Sequence, residues 1–220
     1  MEKKAPQQIP VKTPQENPQE KRKQRIQSEL STLHQKYKTM NSANLHKTFQ
    51  EDPQLWHKYH QISEQNEQSF PDDEIPHRRI IQYLETLRER HHSAVVVDLG
   101  CGKAKIHQHF QNKFQFHNFD HVAYNDSVIS RDISNTELPD ASVYIVILCL
   151  AMWGSNCESY LDEAYRILEV GGRLLIMEPS KRWIEEETGE NRLMEWLQKK
   201  RFAINLCEER KFSFFVAIKF

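Results

Sequence analysis

The chain has 220 residues and a formal net charge of −1, with 30 Lys and Arg against 31 Asp and Glu. This length allows one domain with a sizeable core plus a tail, and the balanced charge excludes a global basic field that would attract nucleic acid. Because the sequence has neither an apolar run of about 18 residues nor an apolar signal-peptide core, we expect a soluble protein that neither spans a membrane nor is secreted. The four cysteines form no Cys-x-x-Cys pair, which favours free thiols in a reducing compartment.

The amino-terminal segment, residues 1–27, differs from the rest in composition. It carries seven Lys or Arg, three Glu, four of the nine prolines and many glutamines. It has no aromatic residue and little to bury, so we predict a disordered tail. The basic cluster over residues 21–25 is typical of a nuclear-localisation signal or of an RNA-contacting arm. A solvated charge run that leads into a helix would explain it equally well.

Helices are predicted next, over about residues 28–40, 52–70 and 74–91. Asp52 and Pro53 have the pattern of an N-cap followed by proline at the first helical position. In the third helix the apolar residues recur at helical spacing and predict a buried stripe, which comprises Ile80, Ile81, Leu84 and Leu87. We therefore assign residues 28–92 to a helical amino-terminal segment.

From residue 93 onward, strand and helix patterns alternate. Strands are predicted over about residues 94–99, 114–119, 128–131, 143–150 and 173–177. Helices are predicted from Lys103 and over residues 156–169, where Gly171 and Gly172 are expected to stop the helix. A helix over residues 191–200 and an antiparallel pair of strands, 202–207 and 211–220, complete the chain. The alternation predicts an α/β domain over residues 93–220, with a mostly parallel sheet and an antiparallel last strand.

Residues 95–102 read Val-Val-Val-Asp-Leu-Gly-Cys-Gly. The β-branched run is typical of a strand covered on both faces, and Gly100 and Gly102 permit a sharp turn against a ligand. Asp98 comes at the carboxyl end of this strand, where open α/β sheets place their sites. The spacing Asp-x-Gly-x-Gly is that of the first motif of S-adenosylmethionine methyltransferases. Lys105 stands where a dinucleotide-binding turn has its third glycine, so a bound pyrophosphate is disfavoured, and a purely structural turn is the alternative.

Two further acidic positions follow the second and third predicted strands. Asp120 comes eighteen residues after Gly102, where an acid accepts hydrogen bonds from ribose hydroxyls. Asp132 can accept from the exocyclic amine of adenine, while the N–H of Ile133 serves a ring nitrogen. The alternatives are an exposed loop aspartate at Asp120 and an N-cap or Asx turn at Asp132.

Neither cysteine nor histidine chemistry is indicated. Cys149 ends the fourth strand, and we interpret it as a packing wall rather than a nucleophile. His107, His109, His117 and His121 lie close in sequence, but no cysteine pair or His-Glu-x-x-His accompanies them. We therefore expect no metal site.

Together these features resemble the S-adenosylmethionine-dependent methyltransferases of the ribosomal RNA-processing protein 8 type, the nucleomethylin family. The resemblance runs from about Gln27 to Phe220. The matching segments are residues 49–60, 98–102, 119–120, 132–133, 149–156, 168–172 and 178–182. The stretch Cys149–Asn156, together with Tyr59 and His60, is more specific to this family than the glycine and acid motifs.

The resemblance implies a class I, Rossmann-like methyltransferase fold. It implies methyl transfer to N1 of an adenine in large-subunit ribosomal RNA, a nuclear and nucleolar location, and ribosomal RNA and ribosome-assembly proteins as partners. Oligomeric state is not indicated. By resemblance, S-adenosyl-L-methionine contacts His60, Gly100, Asp120, Asp132, Ile133 and Cys149, and Asp98 and Gly102 of the first motif complete the site. Without the resemblance, His60 would be interpreted as a capped or core-edge histidine.

Candidates for holding the target base flank the carboxyl edge of the fourth and fifth strands. Trp153, Arg182 and Trp183 offer aromatic faces and a guanidinium plane, on which unstacked bases are commonly held. The alternative is that both tryptophans are core or lid residues. The basic residues 181–182 and 199–201 are weaker candidates for phosphate contacts.

Other functions stay open. Lys103 and Tyr144 depart from the residues usual in the family, and they favour a catalytically weak or silent scaffold in ribosome assembly or chromatin. A methyltransferase with a protein or small-molecule substrate is also compatible, because this fold serves many substrates. The sequence lacks an Asn/Asp-Pro-Pro-Tyr motif, which disfavours exocyclic amines as acceptors and leaves ring nitrogens.

Overall fold

A computed structural model describes residues 17–87, 90–91, 93–110, 113–185 and 187–220. Its strands are β1 (Val95–Leu99), β2 (Gln115–Asp120), β3 (Val128–Ser130), β4 (Val143–Cys149), β5 (Leu168–Pro179), β6 (Phe202–Glu209) and β7 (Phe212–Lys219). Its α-helices are α1 (Pro18–Tyr37), α2 (Ser42–Glu51), α3 (Pro53–Glu67), α4 (Pro76–Leu87), α5 (Lys105–Phe110), α6 (Glu158–Ile167) and α7 (Arg192–Lys199). Short 3-10 helices cover Asp72–Glu74 and Ser180–Arg182.

The strands form one sheet in the order β3-β2-β1-β4-β5-β7-β6. β7 runs antiparallel to both β5 and β6, and the other neighbouring pairs are parallel. The predicted mostly parallel sheet with an antiparallel last strand is therefore confirmed. The strand order reverses between β1 and β4, and ligands of open α/β sheets bind outside the carboxyl ends of the strands at such a point.

Both faces of the sheet are covered by helices. On one face, α6 and α7 pack through Leu161 and Leu197 against a core that includes Val97. On the other face, α4 and α5 pack through Leu84 and Phe110. The uninterrupted apolar runs of β1 and β4 follow from this double burial. α4, which precedes the predicted domain boundary at residue 93, packs on this face of the sheet.

The first three helices form a separate layer beside the carboxyl end of β2. Their core comprises Tyr37, Leu45, Phe49, Trp56 and Val122. In α3 the side chain of Asp52 accepts from the N–H of Gln54 and Pro53 occupies the first turn, as predicted. Within the described residues, no helix has the length and apolar character that crossing a membrane requires.

Helix α1 corrects the predicted start of the folded chain. The side chain of Asn17 accepts from the N–H of Gln19 at 3.1 Å, and Pro18 occupies the first helical position. These capping features and a run of Gln, Lys, Arg and Glu favour a helix. Residues 18–27 are therefore helical and not disordered, whereas residues 1–16 of the predicted tail lie outside the described residues.

The expected end of α6 is also wrong. α6 ends at Ile167 and β5 begins at once with Leu168, which pairs with Val143. The next pair joins Ile145 to Arg173, so residues 169–172 bulge out of the ladder. Gly171 and its neighbour Gly172 form part of this bulge and do not stop the helix. A bulge of this kind needs the positive φ of +81° that Gly171 adopts.

Candidate functional site

The turn after β1 is built on two glycines with positive φ, +77° at Gly100 and +56° at Gly102. A Cβ on Gly100 would lie 2.6 Å from Cβ of Ala151, and one on Gly102 would lie 2.9 Å from Cε1 of His60. Both contacts are too short for any side chain. The predicted sharp turn is present, and it packs its backbone closely against Ala151 and His60; a ligand lying against it stays a prediction.

Asp120, at the end of β2, anchors this turn. Its Oδ2 accepts from the N–H of Gly102 at 2.8 Å. Its Oδ1 accepts from Nε1 of Trp56 at 2.6 Å and from the N–H of His121 at 2.7 Å. A carboxylate offers about four acceptor positions, so these bonds leave room for a ligand hydroxyl. Trp56 had no assigned role in the sequence; here it ties α3 to the site.

Asp98 is buried beside the turn, and its Oδ1 has no hydrogen-bond partner among the described residues. Burial raises the pKa of Asp98 to about 7, and the nearby charge of Asp120 adds to the effect. A buried, unpartnered carboxyl group in a cleft is a functional-site candidate, because leaving it unpaired costs stability.

Two adjoining cavities open at this edge of the sheet. The acceptor-side cavity, of about 620 Å³, is lined by Asp120, Ile133 and mostly aromatic rings. The glycine-side cavity, of about 710 Å³, is lined by Asp98, Gly102 and Cys149 among others. Residues that line both cavities are Tyr59, His60, Gly100 and Leu150. The fold thus brings most of the predicted cofactor residues around one continuous space.

Residues 132 and 133 differ in what the structure shows of them. Ile133 is buried and lines the acceptor-side cavity. Oδ1 of Asp132 accepts from the N–H of Ser134 at 2.9 Å, the Asx turn that the sequence left as the alternative. This bond occupies one oxygen of the carboxylate, so the adenine role of Asp132 stays a prediction.

His60 lies where the two cavities meet and lines both of them. Its ring packs over Gly102, and its centroid lies 3.9 Å from that of Trp56. Burial lowers the pKa of His60, with the charge of Asp120 acting in the opposite direction. Helix α3 therefore places a neutral imidazole directly above the glycine turn.

Cys149 ends β4 on the wall of the glycine-side cavity. Burial raises the pKa of its thiol well above the usual range, so the thiol is protonated and is a poor nucleophile. Among the described residues no group of three His, Cys, Asp or Glu side chains could hold a metal ion.

A charged cluster closes the outer end of the glycine-side cavity. Nζ of Lys103 lies 2.8 Å from Oε2 of Glu64, and Nζ of Lys105 lies 3.1 Å from Oε1 of Glu67. Nδ1 of His77 is 3.6 Å from the same oxygen of Glu67. Helix α3 thus supplies carboxylates that compensate the positive charge of Lys103.

A column of stacked groups forms the far wall of the acceptor-side cavity. The ring of His34, on α1, stacks on Trp153 with centroids 4.0 Å apart. The guanidinium carbon of Arg182 lies 4.5 Å from the Trp153 centroid and 4.8 Å from that of Trp183. Trp153 lines the cavity, whereas Arg182 contacts the indole and lines neither cavity, so their role in holding a base stays a prediction.

The structure corrects the assignment of Trp183. Its side chain is only 1% exposed and belongs to the core beneath the sheet edge. It packs edge-on against Trp196, with centroids 5.5 Å apart. Trp183 is therefore the core residue of the alternative interpretation, and it supports Arg182 from below without an open face for a base.

Sequence reasoning missed His34 and gave no role to Glu178. Burial and the charge of Arg182 lower the pKa of His34 to about 4, so its ring is neutral near pH 7. Its Nε2 lies 3.4 Å from the hydroxyl of Tyr59. Oε1 of the buried Glu178 accepts from the N–H of Met152 at 3.0 Å, and burial raises its pKa while Arg182 opposes this effect. A single histidine in a polar helix carries no local signal that could have found it.

The sequence of this chain is similar to those of known proteins. A family model described as "Hypothetical methyltransferase" matches residues 17–220. The Arabidopsis thaliana protein named ribosomal RNA-processing protein 8 is 38% identical over 151 residues, covering 69% of this chain and 50% of that protein. The Schizosaccharomyces pombe protein named 25S rRNA (adenine(645)-N(1))-methyltransferase is 37% identical over 160 residues, covering 69% and 49%. The chain spans about half the length of the curated relatives it matches.

A solved structure shares the fold over almost the whole chain. It is that of the Burkholderia thailandensis 1,6-didemethyltoxoflavin-N1-methyltransferase with bound 1,6-didemethyltoxoflavin and S-adenosylhomocysteine. The TM-score is 0.53 at 14% sequence identity, and the match covers 96% of this chain and 93% of that one. At this identity the likeness concerns the fold alone.

Proposed function

Since this chain belongs to the ribosomal RNA-processing protein 8 family of methyltransferases, we propose that it transfers a methyl group from S-adenosyl-L-methionine to N1 of an adenine in large-subunit ribosomal RNA. The fold is the class I methyltransferase fold that the sequence predicted. One observation carries the proposal: two cavities meet at His60, one lined by Asp98 and the glycine turn, the other by Asp120, Ile133 and aromatic rings, so the cofactor would reach from the first into the second.

The residues around the two cavities fit the cofactor. Gly100 and Gly102 leave backbone where any side chain would collide. Asp120 has acceptor capacity for ribose hydroxyls, and Ile133 offers an apolar surface for the adenine ring. Oδ1 of Asp98 lacks a partner among the described residues, which supports our proposal that it accepts from the amino group of the methionine end. When bound, S-adenosyl-L-methionine supplies an electrophilic methyl group on its sulfonium.

Methylation at N1 of adenine requires no proton transfer by the protein at the step of attack. N1 of adenine carries an in-plane lone pair, so it would attack the sulfonium methyl without prior deprotonation, the bond from that carbon to sulfur breaking as the new bond forms. No general base is needed, and His34 and His60, whose pKa values are lowered by burial, serve as neutral walls. Catalysis then depends on orienting the two reactants, which contributes up to about 7–11 kcal/mol in well-oriented systems.

The acceptor-side cavity suits the product as well as the substrate. The target adenine must leave its stack to enter, and methylation at N1 makes its ring cationic. The cavity is lined by the ring of Tyr59, and aromatic faces attract cations by roughly 0.5–2 kcal/mol. The faces of Trp153 are already covered by His34 and Arg182, so Trp153 bounds the cavity without a free face. We assign Trp153 to the wall of this acceptor site, with Arg182 supporting it from behind.

Tyr144 and Lys103, the two departures from the family that favoured a silent scaffold, are compatible with catalysis. Tyr144 is the second residue of β4, five residues before Cys149, and thus roughly 16 Å from the carboxyl edge. Its hydroxyl lies 3.2 Å from Nε2 of His91. Lys103 is paired with Glu64. These positions support the enzyme over the scaffold.

The biological setting follows from the relatives. Ribosomal RNA appears in the names of the Arabidopsis and fission-yeast relatives, and we propose it as the partner of this chain, with a nuclear and nucleolar location. Ribosome-assembly proteins stay a predicted class of partner. We also keep the proposed organisation of a helical amino-terminal segment followed by a methyltransferase domain, with α4 built into the latter.

The test is transfer of radiolabelled methyl from S-adenosyl-L-methionine to large-subunit ribosomal RNA that lacks the modification, followed by nucleoside analysis. Label in N1-methyladenosine is the expected result. A Trp153→Ala variant should lose most turnover, whereas an exposed control such as Lys47→Gln should keep it. No label with a competent RNA and bound cofactor would refute the proposal and favour the scaffold, and label in protein would indicate a protein substrate.

A further inference from the structure

A groove of about 600 Å³ runs along α1, outside the two cavities described above. One face of α1 forms a wall with Lys23, Gln27 and His34, and the opposite side is formed by the end of α3, Phe70 and Lys211. None of the described residues that line it carries a carboxylate. The groove therefore combines positive charge, amide groups and apolar surface.

Lys211 is held in place at this groove. Its Nζ lies 3.7 Å from the ring centroid of Phe70 and 2.9 Å from Oε2 of Glu74, which is outside the lining. Across the groove, Lys23 is exposed on α1. Lys23 thus offers its charge at one side of the groove, and Lys211, partly compensated by Glu74, offers its charge at the other, which favours a polyanion over a neutral partner.

The groove also offers unpaired hydrogen-bonding capacity. Asn66 lines the groove, and its Oδ1 is shielded from solvent without a hydrogen-bond partner among the described residues, so the side chain would gain a partner by turning toward a strand in the groove. Gln27 lies on the same channel, on the α1 side. Such amide groups pair with base edges and ribose hydroxyls, whereas a purely electrostatic surface would not need them.

His34 connects the groove to the site. It lines both the groove and the acceptor-side cavity, where its ring stacks on Trp153. A strand lying in the groove would therefore deliver its next base past His34 into the acceptor-side cavity. Of the basic cluster over residues 21–25, only Lys23 lines the groove, so we assign an RNA contact to Lys23 and not to the cluster as a whole.

We propose that this groove holds the single-stranded RNA segment next to the target adenine, with Lys23 and Lys211 on its phosphates and Asn66 on a base edge or ribose hydroxyl. The inference rests on the proposed function and adds the surface by which RNA reaches the site. Backbone-tracking cations beside aromatic and amide groups are the usual means by which proteins bind single strands.

The test measures binding of a fluorescent single-stranded oligoribonucleotide of about 12 nucleotides by anisotropy over a salt series, within the range of common site sizes. The double variant Lys23→Gln/Lys211→Gln is compared with Lys47→Gln/Lys113→Gln, which removes equal charge from exposed lysines outside the groove. The groove variant should lower the salt slope by about 1.4 and weaken affinity roughly ten- to thirty-fold at 0.1 M salt. Calorimetric binding of S-adenosylhomocysteine should be unchanged in both variants.

The outcomes distinguish failure of the proposed groove from failure of the proposed RNA methyltransferase function. Loss of affinity in the groove variant alone supports the groove. Equal loss in both variants, or no loss in either, overturns the groove even though the protein binds RNA. No RNA binding by the unmodified chain that binds S-adenosylhomocysteine refutes the RNA substrate itself. An Asn66→Asp variant adds a second measurement: the new carboxylate should repel the strand and weaken binding, and unchanged affinity would remove Asn66 from the site.

Discussion

Replacing Asp120 by Asn tests the centre of the site while it preserves side-chain shape. The carboxylate accepts from Trp56 Nε1, from the N–H of His121 and from the N–H of Gly102. An amide can keep the first two bonds through its oxygen. Its NH₂ group then faces the N–H of Gly102. Two donors oppose each other where, in the unmodified protein, Oδ2 of Asp120 accepts from that N–H at 2.8 Å.

The expected magnitudes follow from these contacts. Hydrogen bonds to charged groups contribute about 1.5–3 kcal/mol each, and neutral ones about 0.5–1.5 kcal/mol. Losing one bond and weakening two others should lower the free energy of unfolding by about 2–4 kcal/mol, or the Tm by roughly 4–16 °C. Loss of the charged acceptor for ribose should weaken S-adenosylhomocysteine binding by about 10- to 150-fold.

Thermal unfolding and isothermal calorimetry of the same preparations give both quantities. Trp56→Phe is the control, because it removes one donor to Asp120 and leaves the carboxylate in place. It should lower the Tm but change cofactor affinity by no more than about three-fold, well under 1.4 kcal/mol. If Asp120→Asn binds the cofactor as tightly as the control does, Asp120 is a structural anchor and the ribose assignment is wrong.

Three further predictions concern other residues of the site. Because burial raises the pKa of Asp98 to about 7 from an ordinary 3.8, the folded protein holds a proton that the unfolded chain releases, so stability should fall as pH rises from about 4 to 7. Urea unfolding should show this slope flattened in Asp98→Asn, and equal slopes would contradict it. Trp183→Ala should cost about 3–5 kcal/mol of stability, measured by chemical denaturation, since the ring is only 1% exposed; a loss below 1 kcal/mol would argue against core packing. Gly100→Ala should abolish S-adenosylhomocysteine binding in calorimetry, because its Cβ would meet Ala151 at 2.6 Å; retained affinity would show that the turn can shift.

The sequence by itself determined the framework of the site, because the signals that encode it are local. A β-branched run with two glycines predicts a buried strand and a turn with positive φ at Gly100 and Gly102, and both are present. The alternation of strand and helix patterns predicts a mostly parallel sheet. The carboxyl ends of such strands share one edge, so Asp98 and Asp120 had to lie close together.

Errors in the sequence interpretation occurred where local signals compete. Gly171 is compatible with a helix end and with a bulge, and the pairing of β5 with β4 selects the bulge. Proline and charge in residues 1–27 favoured disorder, yet the cap at Asn17 starts α1 at Pro18. In each case an interaction with a neighbour in the fold or chain decided between two allowed conformations.

Only the tertiary structure decided which side chains complete the site. His34 stands 119 residues before Trp153, and the packing of α1 on α3 places its ring on that indole. Trp183 is withdrawn into the core while its neighbour Arg182 lies over the indole of Trp153. Glu64 of α3 meets Lys103 beside the glycine turn. The contacts of His34 and Glu64 join segments that are distant in sequence. The opposite orientations of Arg182 and Trp183 depend on how their segment packs. Local periodicity or propensity encodes neither.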